Sequence, residues 1–449
     1  MWKTVMLFST LFILIGCTSI DIDEVVEITE HDEMVLESDL DETTEAIMTE
    51  SRIEEKKEEN QEIVKKFVED LEYLREYLPV LHKNIDRNYD IQTFKSRIGE
   101  ITDMAKNGAD EIDIRFEVAK EIVKIGDSHT KLIFESSEFY PIRIRKFDKD
   151  YYIVSTTGAN KDILNARIIS INGLDMEEVL DKFSSIIPHE SKYALDFYLP
   201  SYIYQSDYWK MVEKDRELEK LELVLMKEGT EIIHELKSVT DKIVSFTKNG
   251  DSFVSMNETG IYYWYKTIDD DTLYIRYSKC REDVNYSIVS FVNDVKNEIV
   301  SNNFKKVIID LRDNSGGNSK IIYPLLTLLS SYKGDIDFIG LINLGTYSSG
   351  MLNALSIKNS LDGLLIGEPT GQKPDSFGDI LTLVTPNKLL NTSYSTQYFQ
   401  QSLYFEFIDE NDETLYPDIS LSHTFEDYLS GSDSILEYAI KYKELKVRD

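Results

Sequence analysis

The sequence predicts an α/β protein, on three observations. From about Thr272 onward short apolar runs alternate with helical stripes. Val307, Ile308 and Ile309 form a continuous β-branched run that reads as a buried strand. The preceding chain is helical as far as Ile125 and strand-like after it. Ile288, Phe291, Val292, Val295 and Ile299 make a helical stripe that leads into the Val307 strand. A helix after Gly317, a strand over Phe338 to Asn343, a helix from Ser348 and a strand over Leu364 to Ile366 follow, and Phe425 to Tyr442 reads as a closing helix.

With 449 residues the chain has room for two or three domains with well-buried interiors. Its 82 acidic against 49 basic residues give a formal net charge of -33, which disfavours nucleic acid as a partner by repulsion from phosphate and serves solubility. Much of the acid lies in residues 18–60, which lack aromatics. Residues 17–53 accordingly read as a disordered acidic stalk. Ahead of it, Lys3 and the apolar run from Val5 to Ile15, too short to span a bilayer, make residues 1–16 a secretory signal peptide. Leu14-Ile15-Gly16-Cys17 resembles the lipobox of bacterial lipoproteins, which implies lipidation of Cys17 and an extracytoplasmic protein anchored to a bacterial membrane. Only Cys280 then remains. An intrachain disulfide is impossible, and Cys280, in an alternating strand pattern, reads as a packed thiol.

Residues 54–130 form an N-terminal helical region, with Val64, Phe67, Val68, Leu71, Leu74 and Leu78 near a 3.6-residue period and Pro79 expected to stop the run. Residues 131–256 form a mixed, β-rich middle segment in which Tyr151 to Thr156 and Leu221 to Met226 read as strands. Within it, Ala166 to Gly173 loosely resembles the strand and Asn-Gly turn of a PDZ module. Residues 257–449 form the α/β domain.

Three segments carry chemistry. Gly345 to Pro374 places Ser348 at a helix start, where unpaired N–H groups and the helix dipole can stabilise an oxyanion. Capping alone would also explain a serine there. Gly316 and Gly317, after the Val307 strand, allow a tight turn that exposes its N–H groups. His129 stands beside Ser128 at the end of the helical region.

Asp127-Ser128-His129-Thr130, Asp310 to Gly317, Thr346-Tyr347-Ser348-Ser349 and Gly367 to Lys373 together resemble, in that order, the motifs of the tail-specific (C-terminal processing) and tricorn-type serine peptidases. The resemblance covers roughly residues 124–445. It implies a crotonase-like ββα spiral catalytic domain and hydrolysis of protein or peptide substrates. Ser348 would be the nucleophile, with Ser349 as fallback. Ser349 and the Gly316-Gly317 turn would supply the oxyanion N–H groups, and Asp310, Arg312 and Asn314 would fix that turn. The resemblance leaves two bases open: Lys373, as in the tail-specific branch, or His129, as in the tricorn-type branch, oriented by Ser128 and a distant carboxylate at Glu406. Phe377 and Gln372 depart from the lysine pattern, and His129 is preferred. The spacing Gly345 to Gly350 is one residue too long for the G-x-S-x-G elbow of α/β-hydrolases. Metal, nucleotide and flavin signatures are not seen, so no cofactor is expected. A lipid-anchored binding or scaffold protein without turnover is the alternative, and an acyl or ester hydrolase on the same fold is a third reading.

Overall fold

The computed structural model describes residues 42–134, 136–213, 218–240, 246–247 and 260–443. The signal peptide, Cys17 and most of the stalk lie outside them. The chain divides into two units, Met1–Asn60 and Gln61–Asp449. The described part of the first is the start of helix α1 (Glu42–Leu81), so the helix begins inside the segment read as a stalk.

In the second unit α1 continues beside α2 (Ile91–Lys106) and α3 (Glu111–Val123), each of the latter two capped by an aspartate, Asp90 and Asp110. Pro79 does not end α1. It sits in the last turn of the helix, which ends at Leu81. Phe67, Leu71, Leu74 and Leu78 meet Ile98, Ile101, Val118 and Ile122 in one core, as their helical spacing requires.

A short strand, β1 (Lys131–Leu132), leads into the middle segment: β2 (Ile142–Phe147), β3 (Asp150–Thr157), β4 (Arg167–Ile171), β5 (Leu174–Asp175), α4 (Met176–Ser184), α5 (Lys192–Ile203), α6 (Ser206–Val212), β6 (Lys220–Lys227), β7 (Thr230–Lys237) and β8 (Phe246–Thr247). Its sheet has the order β2-β3-β4-β6-β7, with β5 on β4 and β8 on β3. The β4–β5 turn is the expected Asn172-Gly173, both residues at positive φ, as a tight hairpin turn demands.

The main sheet comprises β9 (Tyr263–Asp269), β10 (Thr272–Tyr277), β11 (Lys306–Asp310), β12 (Asp337–Ile342), β13 (Leu364–Gly367) and β16 (Ile419–Ser420), in the order β16-β13-β12-β11-β10-β9. All neighbours are parallel except β9 and β10. Helices α7 (Ile288–Ser301), α8 (Tyr323–Ser330) and α9 (Ser349–Leu361) make the crossovers. Their apolar faces pack on Leu273, Ile275, Val307 and Ile309, while the alternate residues Tyr274 and Ile308 face Ile435 and Leu436 on the other side. Strand β10 is therefore buried throughout, not alternately exposed as its sequence suggested. The closing helix is two helices, α10 (Phe425–Ser430) and α11 (Ser434–Lys441), broken where Gly431 turns left-handed.

One element crosses the boundary expected near residue 257. Strands β14 (Ser376–Leu383) and β15 (Thr392–Phe399) leave the main sheet, and β15 pairs with β1. The buried carboxylate of Asp70, on α1, accepts from Thr385 Oγ1 at 2.6 Å and from the N–H groups of Asn387 and Leu389 at 2.8 Å. The helical region and the hairpin thus share one core.

Candidate active site

The loops that follow β11, β12 and β13 meet at the carboxyl ends of these parallel strands, where α/β sheets characteristically open a crevice. After β11 the backbone reverses through Asp313, Gly316 and Gly317, all at positive φ. Asn314 brackets this turn. Its Oδ1 accepts from Gly316 N at 3.0 Å, its Nδ2 donates to Tyr277 O at 2.8 Å, and its carbonyl accepts from Tyr347 N at 3.0 Å. The glycines are sterically required. A Cβ on Gly316 would lie 2.8 Å from Ser348 Cβ and Ser349 N, and one on Gly317 would lie 2.3 Å from Cys280 O. The glycine turn and the serine turn are therefore pressed face to face.

Ser348 adopts φ 52° and ψ −126°, a conformation that costs a non-glycine residue about 1–3 kcal/mol and marks functional turns. Its side chain makes no cap hydrogen bond to α9, so N-capping does not explain this serine. Its N–H donates to Gln372 Oε1 at 2.6 Å, and Gln372 Nε2 donates to Ser376 Oγ at 3.0 Å. Ser349 Oγ is spent on Gly317 O at 2.6 Å, which makes it a brace of the turn rather than a free hydroxyl. The N–H groups of Ser349 and Gly317 form no hydrogen bond among the described residues. Ser348 opens onto a groove of about 590 Å³ whose walls include Asn318, Met351, Leu352, Phe377 and Phe399.

Facing this side is the loop between α3 and β1. His129 is buried, its ring lies 5.2 Å from that of Tyr347, and neither ring nitrogen has a hydrogen-bond partner. Buried polar atoms are rarely left so, outside sites that act. Ser128 does not touch the His129 ring. Its hydroxyl pairs with Tyr347 Oη, and its N–H donates to Glu190 Oε2 at 3.0 Å. Burial pushes the Glu190 carboxyl above the ordinary range, and its Oε1 is unpartnered. Burial also acts to raise the Asp127 carboxyl, but its contacts with His129 and His82 outweigh this and hold it well below the ordinary range.

Of the expected site residues, His129, Lys373 and Glu406 do not line the Ser348 groove. Glu406 is exposed in the loop after β15 and has no contact with His129; the carboxylates around that imidazole belong to Asp127 and Glu190. Lys373 lines a second, smaller pocket of about 320 Å³ with Arg87, His189 and Glu190, not the groove onto which Ser348 opens. The residue before it, Gln372, is the one that reaches the serine. Cys280 is buried against Asn314 and Asn353, and burial pushes its thiol up to about 12, which leaves it unreactive. Arg312 lies in a buried network. Its guanidinium forks onto Asp310 at 2.6 Å and onto Asp433 at 2.8 Å, and His423 Nε2 lies 3.0 Å from Asp433. Asn314 braces the turn as expected, whereas Asp310 and Arg312 bond to each other and Arg312 also to Asp433. Sequence reasoning missed His82, Glu190 and Gln372. Gln372 alone had a local signal, as the departure from glycine in the Gly367 to Lys373 motif.

Residues 271–338 match the model of Peptidase family S41, and they include β10, β11 and the Gly316-Gly317 turn. No curated protein matches the chain. Among solved structures, mature CPAF complexed with lactacystin is similar at 13% identity and a TM-score of 0.60, covering 84% of this chain and 97% of that one. A second structure of mature CPAF gives 13% and 0.57, covering 84% and 96%. At this identity the likeness is one of fold. The family match lies on the strand and turn that press against Ser348, and with the shared fold it supports a serine-type peptidase.

Proposed function

We propose that Ser348 is the nucleophile of this peptidase and His129 its general base, in a protein held outside the cytoplasm by a lipid on Cys17. The observation that carries the reading is the strained Ser348 turn: the hydroxyl makes no cap bond, while the N–H groups of Ser349 and Gly317 stand unengaged beside it. On this reading His129 takes the Ser348 proton as Oγ attacks the scissile carbonyl. The two N–H groups receive the developing oxyanion, and His129 returns the proton to the leaving amine. Water then hydrolyses the acyl-enzyme by the same route. Neither His129 nor Lys373 lines the serine groove, and the contact of the His129 ring with Tyr347, next to Ser348 in the chain, supports histidine over lysine as base.

Ser348→Ala in a protein beginning near Ser51 is expected to lower kcat for a peptide substrate on the order of 10⁵–10⁶-fold with the fold intact. An alanine variant that keeps full turnover sinks the reading, and a wild-type domain without turnover favours a binding protein on this fold. For the anchor, a fatty-acid analogue fed to cells is expected to label wild type and not Cys17→Ala. Equal labelling of both would remove the lipid from the account.

A further inference from the structure

We infer that Asp127, held by the second buried histidine, His82, is the carboxylate that orients His129. This deepens the serine–histidine reading and rests on it. Asp127 is 2% exposed, and both its oxygens are engaged. Oδ1 accepts from the His129 N–H at 2.9 Å and lies 3.7 Å from His129 Nδ1. Oδ2 takes Thr130 Oγ1 at 2.5 Å and His82 Nε2 at 3.1 Å. Asn84 N donates to His82 Nδ1 at 3.2 Å, which leaves the His82 proton on Nε2, aimed at Asp127. The His82 ring is braced against Phe377, 4.9 Å between centroids, and Phe377 also walls the Ser348 groove.

A carboxylate at 3.7 Å is longer than a hydrogen bond, but such pairs are commonly long without substrate and tighten in the reactive complex. A small ring movement brings His129 Nδ1–H onto Oδ1. That contact fixes the tautomer with Nε2 free as the base, the role a buried aspartate plays in other serine–histidine enzymes. The titratable groups facing this cluster are His82 just after α1, His129 and Asp127 on their own loop, Glu190 from the α4–α5 connection, Tyr198 from α5, and Tyr347 from the serine turn. Glu190 is the other candidate orienter. Its one engaged oxygen is bonded to Ser128 N, and Asp127 alone touches both imidazoles.

The test is the pH dependence of kcat for a peptide substrate, with thermal unfolding of each variant as the fold check. Asp127→Asn is expected to lower kcat by about 10³–10⁴-fold, as loss of the orienting carboxylate does. It should also move the acidic limb to lower pH, because the imidazolium loses its counter-charge. His82→Leu is expected to lower kcat by a smaller factor of about 10–100 with KM little changed, and His82→Gln, which keeps a donor near the Nε2 position, should recover most of that loss. Should Asp127→Asn fail to fold, the His82 pair carries the test. An Asp127→Asn enzyme within about threefold of wild type with an unmoved limb, or equal losses in the leucine and glutamine variants, overturns the inference. If Ser348→Ala has already proved inactive, that result leaves the serine–histidine reading standing. Full activity in Ser348→Ala would remove both.

Discussion

The Ser348 side of the site and the His129 side are held in place by different physics. Around Ser348 the geometry is set by backbone: glycines with no room for a Cβ, a serine at positive φ, and hydrogen bonds that Asn314 and Gln372 accept from neighbouring N–H groups. Around His129 it is set by buried side chains brought from distant chain segments: His82 from 45 residues upstream of Asp127, Glu190 from 62 residues downstream of Ser128, and Tyr347 from the opposite turn. Backbone-built geometry needs particular residues in one short run. Side-chain clusters need only that the fold deliver compatible groups, and any stretch of chain can supply them.

That contrast predicts where substitutions hurt. The largest loss of stability should come from the buried Arg312–Asp310–Asp433 network that follows β11. Asp433→Asn leaves the buried Arg312 guanidinium half paired, which is expected to destabilise by about 3–5 kcal/mol in denaturant unfolding at neutral pH. Burial acts to raise the Asp433 carboxyl, but its bonds to His423 and Arg312 hold it well below the ordinary range. Its contribution is therefore present at neutral pH, and the gap to wild type should begin to close as pH falls below about 3.9, the unfolded aspartate value. A gap that widens in acid contradicts this assignment.

Next comes Gly317→Ala. A methyl 2.3 Å from Cys280 O, at φ 136°, is expected to cost about 2–4 kcal/mol in strain and overpacking. It should also abolish turnover, since the turn cannot keep its place against Ser348. Normal kcat in a folded Gly317→Ala protein would mean that the backbone there is less constrained than its packing indicates.

The smallest effect belongs to the side-chain side. Glu190 has its carboxyl raised by burial, so ionisation costs the folded state stability once pH exceeds the unfolded glutamate value of about 4.3. Glu190→Gln keeps an acceptor for Ser128 N and removes the charge. A small rise in Tm is expected at neutral pH, shrinking to nothing near pH 4. A variant less stable than wild type at neutral pH, yet equal at pH 4, shows instead that the Glu190 charge is stabilising.

The same contrast decides what could be read from the sequence. The β-branched strand Val307–Ile309, the Gly316-Gly317 turn and the Ser348 helix start were legible because each is local, and the α/β alternation followed from them. The departures have physical causes. Pro79 was tolerated because it fell in the last turn of α1, and β10 was buried on both faces because helices cover the sheet on each side. The β14–β15 hairpin crossed the expected domain boundary because Asp70 and a shared apolar core draw it to the helical region. Glu406 was chosen by distance along the chain, which carries no information on burial. Neither His82 nor Glu190 had a local pattern to betray it, since what selects them is the buried charge of Asp127 and the N–H of Ser128.

The most direct test of the central claim is site-mapped labelling of the purified domain with a fluorophosphonate probe, read by peptide mass and by rate. Ser348 is expected to carry the adduct, with labelling lost in His129→Ala and retained in Lys373→Ala. An adduct on another residue, or labelling lost in Lys373→Ala and retained in His129→Ala, contradicts the account.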